Sequence, residues 1–155
     1  MSVRLQDQTS KPIQLQRGVR QGDVISPKLF SAALEDVFKV LDWKGLGINV
    51  NGEYITHLRF ADDIVVMAET MEGLTTMLDG LCGASERVGL KMNMEKTKIM
   101  SNIHVQTTPV NIGGSTLEVV DHYIYLGHTV QLGKSNFEKE VNRRIQLGWA
   151  AFGKL

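Results

Sequence analysis

The chain has 155 residues, a size typical of one domain, and its 43% hydrophobic and 22% charged residues are ordinary for a globular protein. Basic and acidic residues number 17 each, so bulk charge alone is excluded as the means of holding nucleic acid. The single cysteine, Cys82, excludes an internal disulfide and fits a reducing compartment, nuclear or cytoplasmic. The sequence predicts no signal peptide, because the N-terminus is polar, and no membrane segment, because no apolar run approaches about 20 residues.

The first 41 residues predict a hairpin followed by a helix. Residues 3–5 and 12–15 are extended runs joined by the polar stretch 7–10, and a glycine-containing loop then leads to Ser26, an N-cap hydroxyl, and Pro27 at the first helical position. Apolar residues recur at helical spacing after Pro27 and predict one buried stripe: Leu29, Phe30, Ala33, Leu34, Val37, Phe38 and Leu41.

Two predicted hairpins come next. Residues 48–50 form a strand that ends in Asn51-Gly52, a strong signal for a tight turn. The return strand, 53–60, is separated from an apolar strand, 64–68, by Ala61-Asp62-Asp63. The simplest interpretation is a second hairpin that carries an acidic dipeptide at its tip.

Helices and short strands fill the rest of the chain. Thr70 can cap a helix that Gly89 ends, with its inward face made of Leu74, Met77, Leu78, Leu81 and Val88. Short strands are predicted at 90–93, 98–100, 110–112, 117–119 and 123–126. A last helix begins at Asn136, with Val141, Ile145, Leu147, Trp149 and Phe152 as candidate packing residues. Helices interleaved with antiparallel strands indicate the α+β class.

The adjacent acids Asp62 and Asp63 are the first candidate for chemistry. An isolated Asp-Asp pair is most often a solvated turn, but this pair has no glycine beside it and stands between apolar strands. Carboxylates held out at a rigid point are suitable oxygen ligands for hard cations such as Mg²⁺ or Mn²⁺. Phosphoryl transfer by two metal ions requires carboxylates of this kind.

Three further segments have both a functional and a plain structural interpretation. The loop Arg17 to Asp23 could cradle a nucleotide, or it could be an ordinary loop before a capped helix. The lysines of 89–98 could neutralise phosphate, or they could simply be solvated. Tyr125-Leu126-Gly127 could form a binding site, although an alternating apolar run before glycine is more often a packed strand.

The order of these segments is more specific than any one of them. Arg17 to Phe30 (RGVRQGDVISPKLF), Phe60-Ala61-Asp62-Asp63, 89–98 and Tyr125-Leu126-Gly127 resemble motifs B, C, D and E of reverse transcriptases, most of all those of non-LTR (LINE-like) retrotransposons. In that group an alanine commonly occupies the second position of the aromatic-x-Asp-Asp box. The resemblance covers the chain from about Leu15 to its end.

The resemblance implies a role for each segment. Asp62 would be a ligand of the catalytic Mg²⁺ or Mn²⁺ ions with Asp63 in support, and Lys96 would lie near the triphosphate as a proton donor to pyrophosphate. The nucleotide pocket would include Arg17, Arg20, Gln21 and Gly22, and the primer grip Tyr125, Leu126 and Gly127. The implied partners are an RNA template, a DNA primer and deoxynucleoside triphosphates.

The resemblance also predicts the architecture and one departure from it. Residues 1–130 would be a palm fragment, a ferredoxin-like antiparallel sheet backed by helices, and residues 131–155 a connection helix toward the thumb. No aromatic-x-Asp pattern of motif A precedes Arg17, and the fingers and most of the thumb have no counterpart in the sequence. The fragment alone is therefore expected to be inactive, with an exposed sheet edge that favours self-association.

Two alternatives to a polymerase fragment remain at this stage. A non-catalytic retroelement remnant could act as a nucleic-acid-binding or protein-binding module, and a hairpin-rich binding domain of unrelated origin could share the local patterns by chance. A motif A aspartate upstream of Met1 would favour the enzyme over the remnant.

Overall fold

The computed structural model describes residues 4–5, 8–9, 18, 22–133 and 136–154. These residues form three helices: α1 (Ser26–Lys39), α2 (Met71–Arg87) and α3 (Asn136–Phe152). The strands are β1 (Arg4–Leu5), β2 (Gln8–Thr9), β3 (Ile48–Val50), β4 (Glu53–Ile55), β5 (His57–Phe60), β6 (Asp63–Val66), β7 (Lys98–Ile99), β8 (Asn111–Ile112), β9 (Ser115–Thr116), β10 (Glu118–Val119), β11 (His122–Tyr125) and β12 (His128–Gln131). The α+β class is therefore confirmed.

The strands form six two-stranded ladders in the described part of the chain. Five are antiparallel hairpins between consecutive strands, and the sixth joins β7 and β10 in parallel. The first hairpin differs from its prediction, because β2 lies inside the stretch expected to be the connection. The predicted second run, 12–15, lies outside the described residues.

Local turn chemistry explains the hairpin of β3 and β4. Asn51 and Gly52 both have positive φ angles, 54° and 94°, as a type I′ turn requires, and Val50 pairs with Glu53 across it. The predicted return strand is divided at Thr56, since β4 pairs with β3 while β5 pairs with β6. Gly47 is needed beside this hairpin, because a Cβ atom there would lie 2.7 Å from the Ile55 carbonyl oxygen.

Two compact units divide the chain, one of residues 1–42 and 80–91 and the other of residues 43–79 and 92–155. Among the described residues of the first unit, the buried side chains are Leu34 and Val37 of α1, and Leu81, Cys82, Ala84 and Ser85 of α2, together with Ser26. In the second they are Met71, Met77, Leu78, Ile99, Val110, Ile112 and Leu117. Each unit therefore contains its own small set of buried residues.

The predicted helix forms as α1 but ends at Lys39, before Leu41 of the predicted stripe, and two further positions differ. Ser26 is the first helical residue and not the N-cap, which is Ile25 without a side-chain cap. The Asp23 carboxylate accepts a hydrogen bond from the Ile25 amide at 2.9 Å and so orders the entry to the helix. Leu29 is 54% exposed, because the buried side of α1 is narrower than the apolar pattern suggests.

Helix α2 begins and ends as predicted. The Thr70 hydroxyl accepts a hydrogen bond from the Gly73 amide, and Gly89 adopts φ 80° beyond the last turn. The Leu90 amide donates to the Ser85 carbonyl, which completes a Schellman-type ending. Val88 is exposed and not inward, because the helix has already ended at Arg87.

The C-terminal region contains the largest corrections. Residues 90–93 form no strand, whereas β9 and β12, which the sequence did not predict, do form. On α3 the predicted packing residues Val141, Ile145, Leu147, Trp149 and Phe152 are all more than half exposed. The side of α3 that contacts the rest of the structure is polar, and its contacts are described below. No helix in the described ranges is both long and apolar enough to cross a membrane.

Candidate active site

The Asp62-Asp63 pair lies at the tip of the β5–β6 hairpin, as predicted. Phe60 pairs with Asp63, so Ala61 and Asp62 form a two-residue loop. Ala61 has φ 53°, the left-handed value that favours glycine at the first loop position of a type II′ turn. An L-residue pays about 1–2 kcal/mol for this conformation. The hairpin therefore keeps a strained alanine directly before its acidic pair.

Both carboxylates at this tip are accessible. Asp62 and Asp63 are exposed, and within the described ranges neither carboxylate takes part in a hydrogen bond or an ion pair. The strands behind them are regular, with four pairs from His57↔Val66 to Phe60↔Asp63, and the Met67 amide donates to the Thr56 carbonyl at 2.8 Å. A rigid hairpin thus presents two oxygen-rich side chains that are not engaged elsewhere.

The acidic pair is only part of a metal site. Among the described residues no group of three or more histidine, cysteine, aspartate or glutamate side chains is placed to hold an ion. Two adjacent carboxylates fit the oxygen ligands that Mg²⁺ and Mn²⁺ prefer, and they leave most coordination positions to other donors. A pair of catalytic ions would need a further carboxylate from another segment.

Lys96 lies in a tight turn whose backbone is held by Asn93. The Asn93 side chain accepts from the Lys96 amide at 3.1 Å, and the Asn93 carbonyl accepts from the Thr97 amide at 2.9 Å. The Tyr123 hydroxyl of β11 donates to the Lys96 carbonyl at 3.4 Å. The structure therefore links the Lys96 turn to the β11–β12 hairpin, whereas no hydrogen bond or ion pair among the described residues joins Lys96 to Asp62 or Asp63.

The neighbouring lysine of this segment has a structural role. The Lys98 ammonium donates to the Glu118 carboxylate at 2.6 Å across the parallel β7–β10 ladder, and the Lys98 side chain is 23% exposed. Its charge is thus already matched. Lys96 is exposed and has no such acidic partner within the described ranges, which leaves its ammonium accessible to an external phosphate.

The predicted primer grip forms the turn between β11 and β12. Tyr125 pairs with His128, and Leu126 and Gly127 have φ angles of 48° and 77°, the type I′ pattern. Leu126 is 45% exposed and, like Ala61, occupies a conformation that costs a non-glycine residue free energy. Leu126 and Gly127 thus form the projecting loop, whereas Tyr125 is the half-buried last residue of β11, the strand end that the alternating pattern favours.

A polar network that the sequence did not reveal joins this turn to α3. Its centre is Glu140, which is 16% exposed and accepts from the Thr129 amide at 2.7 Å, from the Arg143 Nε at 2.9 Å and from the Arg144 Nε at 2.8 Å. Arg143 also donates to the Gly127 carbonyl, and Arg144 lies 2.9 Å from the His128 Nδ1. The Glu-x-x-Arg-Arg spacing, which places the three side chains on one helix face, was the available signal.

The network shifts the acidity of its carboxylates. Hydrogen bonds from Arg143, followed by that from the Thr129 amide, hold the pKa of Glu140 well below its usual range. Lys139 and then His122 lower the pKa of Asp121, at the start of the same hairpin, from 3.8 to about 2. In the other direction, Glu140 raises the pKa of Arg143. Both carboxylates are therefore charged throughout the physiological range.

Of the four residues predicted to line a nucleotide pocket, one lies among the residues that the structure describes. Arg17, Arg20 and Gln21 lie outside the described residues, and Gly22 is exposed with φ 83°. An open depression of about 380 Å³ on α3 is lined by Phe137, Glu138, Val141 and Asn142, and it includes none of the predicted site residues.

Comparison with known proteins identifies the family of this chain. The model of the family described as reverse transcriptase (RNA-dependent DNA polymerase) matches residues 1–130. A transposon-derived protein of Caenorhabditis elegans is 38% identical over 109 residues, which are 68% of this chain and 39% of that protein. The Pol polyprotein of the retrotransposable element R2 of Nasonia vitripennis is 34% identical over 123 residues, 72% of this chain and 12% of the polyprotein.

A third relative covers a shorter stretch. The Pol polyprotein of the element R2DM of Drosophila melanogaster is 39% identical over 80 residues, 52% of this chain and 8% of the polyprotein. The chain thus spans well under half the length of each of these relatives. This match argues against a binding domain of unrelated origin, and it does not favour the alternative of a non-catalytic retroelement remnant. The chain belongs to the reverse transcriptase family and is similar to the non-LTR R2 retrotransposon members of it.

Proposed function

We propose that this chain is the palm portion of an RNA-directed DNA polymerase and that the β5–β6 tip is its contribution to the catalytic centre. The observation that carries the proposal is the exposed Asp62-Asp63 pair, unpartnered among the described residues, at a regular hairpin tip inside the matched region. Carboxylates with no structural partner at a rigid point are available for metal ligation, whereas acids in a purely structural turn commonly cap a nearby amide.

The proposed division of the chain follows the motifs. Residues 1–130 form the palm part, in which the hairpins would complete a ferredoxin-like antiparallel sheet together with strands from elsewhere in the full-length polymerase. Residues 131–155 form the connection toward the thumb. Both edges of the β5–β6 ladder lack a third strand among the described residues, which supports an incomplete sheet with an edge open to further pairing or to self-association.

The proposed chemistry is template-directed nucleotidyl transfer. Mg²⁺ or Mn²⁺ bound at this tip would supply charge neutralisation at the reacting phosphate and acidify the primer hydroxyl. Asp62 offers the principal ligand oxygens and Asp63 supports them. Lys96 would hold a proton for the leaving pyrophosphate, a role that suits its exposed ammonium. A further carboxylate must come from a segment other than 62–63, because one adjacent pair cannot surround two ions.

The substrates are proposed on the same basis. An RNA template, a DNA primer and deoxynucleoside triphosphates would be held jointly with other parts of the polymerase, since this chain has no net charge to attract nucleic acid. Arg17, Arg20, Gln21 and Gly22 would line the nucleotide pocket. Tyr125, Leu126 and Gly127 would contact the primer end through the projecting turn.

Metal titration tests the site directly. Mn²⁺ added to the isotopically labelled chain should broaden the NMR signals of residues 61–64 before any others, with weak affinity because two carboxylates leave most ligands to water. Asp62→Asn combined with Asp63→Asn should abolish that broadening. Asp79→Asn, a matched change at an exposed acid on α2, should leave it intact. Broadening centred on Glu138 and Glu140 would contradict the assignment.

A further inference from the structure

Helix α3 contacts the rest of its unit through its polar side. Its contacts to the β11–β12 hairpin are made by Lys139, Glu140, Arg143 and Arg144, whereas its apolar residues are exposed. Polar groups thus fix the position of the helix on the hairpin. Such contacts are directional, because each requires a particular donor, acceptor and distance, so they specify a geometry that apolar packing would leave adjustable.

The contacts converge on the turn itself. Arg143 donates one guanidinium hydrogen bond to the Gly127 carbonyl and others to both Glu140 oxygens, and Glu140 in turn accepts from the Thr129 amide. The two backbone groups that are gripped, at positions 127 and 129, lie on either side of His128. Because Leu126 has a left-handed conformation, the turn has an intrinsic tendency to relax, which these bonds oppose.

We propose that Glu140 and Arg143 are positioning residues that hold the Leu126–Gly127 turn in the shape that receives the primer end. This inference rests on the primer-grip role in the proposed function. Neither residue needs to touch nucleic acid. Arg143 fixes the turn through the Gly127 carbonyl. Glu140 orients Arg143, and it also fixes the amide of Thr129, the second residue of β12.

Substitution of Glu140 tests the proposal, because electrostatics and the positioning role predict opposite changes in binding. Glu140→Gln removes one negative charge, and general electrostatics would then strengthen nucleic-acid binding. The positioning role predicts the opposite, a Kd about 3–10-fold higher for an RNA–DNA hybrid with a recessed DNA 3′ end, the size expected when one typical hydrogen bond is lost. Glu138→Gln makes the same charge change on the same helix, where Glu138 has no hydrogen-bond or ion-pair partner among the described residues, and should not weaken binding.

The readouts are fluorescence anisotropy of the full-length polymerase with that hybrid and amide hydrogen exchange of the unbound chain. Glu140→Gln should accelerate exchange at Thr129 while the buried amides of α2 keep their protection. Arg143→Lys keeps the positive charge but cannot reach the Gly127 carbonyl and both Glu140 oxygens together, so it should weaken hybrid binding as well. It serves as the second variant if Glu140→Gln reduces folding, as judged by circular dichroism.

The outcomes separate the two proposals. Tight wild-type binding that is unchanged in both Glu140→Gln and Arg143→Lys, despite faster exchange at Thr129, would overturn the positioning role and leave the primer grip standing. Binding that is weakened by Tyr125→Ala but by neither Glu140→Gln nor Arg143→Lys would also overturn the positioning role and leave the primer grip standing. A wild-type full-length polymerase that does not distinguish the recessed hybrid from single-stranded RNA would overturn the primer-grip role, and the positioning role with it.

Discussion

Two hairpin turns of this protein share a backbone problem and solve it differently. The Ala61–Asp62 loop and the Leu126–Gly127 loop each place a non-glycine residue at a positive φ angle, 53° and 48° respectively. The first lies at the end of a regular strand ladder, and its two carboxylates are without partners in the described part of the chain. The second is tied by Arg143 and Glu140 to a helix.

The difference follows from the groups that each turn presents to a ligand. A turn that presents carboxylates to metal ions must leave those carboxylates free, so its shape depends on the ladder beneath it. A turn that presents backbone and an apolar side chain can have its remaining polar groups tied down from behind. Rigidity therefore comes from regular pairing in one hairpin and from charged hydrogen bonds in the other.

The largest expected effect comes from removing a carboxylate at the Ala61–Asp62 loop. Asp62→Asn in the full-length polymerase should reduce primer extension on a poly(rA) template with an oligo(dT) primer by more than about 100-fold, because even groups that only support a metal ligand contribute about 10–100-fold. Residues 1–155 alone should extend no primer. Incorporation of dTTP by this chain that is lost in Asp62→Ala would contradict the proposal of an incomplete metal site, and Asp79→Asn is the control.

An intermediate effect is expected when the pH is lowered, at the hydrogen bonds that hold the Leu126–Gly127 turn. The pKa of Glu140 is lowered on folding, so its contribution to stability is complete above the ordinary glutamate range and is lost as the pH falls through the depressed value. Asp121 behaves alike, between about 3.8 and about 2. The Thr129 amide chemical shift should therefore titrate well below pH 4, and Glu140→Gln should flatten that titration. A midpoint near 4.5 would mean that the network does not persist in solution.

The smallest effect is the release of backbone strain. Ala61→Gly should stabilise the chain by about 0.5 kcal/mol, because the left-handed cost of about 1–2 kcal/mol exceeds the roughly 0.5–1 kcal/mol that glycine loses in entropy. Leu126→Gly should gain less, since it also removes a half-buried side chain. Asn51→Gly should change little, because asparagine tolerates its φ of 54°. Urea unfolding measures all three, and a loss above about 1 kcal/mol at Ala61 would show that its methyl group packs.

Much of the fold was predictable where short-range chemistry decides the structure. Asn51-Gly52, the Thr70 cap and the Gly89 stop each act within a few residues, and each appears where the sequence indicated. The position of Asp62-Asp63 at a hairpin tip follows similarly from the two apolar runs on either side. The ordered motifs added the family, which the match over residues 1–130 confirms.

The remaining features depend on groups that are distant in the chain. An apolar stripe on α3 has the same pattern whether or not another surface covers it, so the sequence could not show that Trp149 and Phe152 are exposed. Likewise β12 became a strand because β11 pairs with it, and its own residues, His128 to Gln131, carry a weak strand signal.

By itself, then, the sequence determined the local turns, two of the helix boundaries and the identity of the acids that a polymerase would use, because backbone sterics and capping act over a few residues. Only the tertiary structure decided which carboxylates are free and which are engaged. In the sequence Asp62 and Glu140 are both acids beside an apolar residue, although only Glu140 has arginines three and four residues further on, which become its partners within one helix. Asp62 faces solvent at a tip, while Glu140 also accepts from the Thr129 amide of β12, because a hydrogen bond between separate elements forms only once the chain has folded.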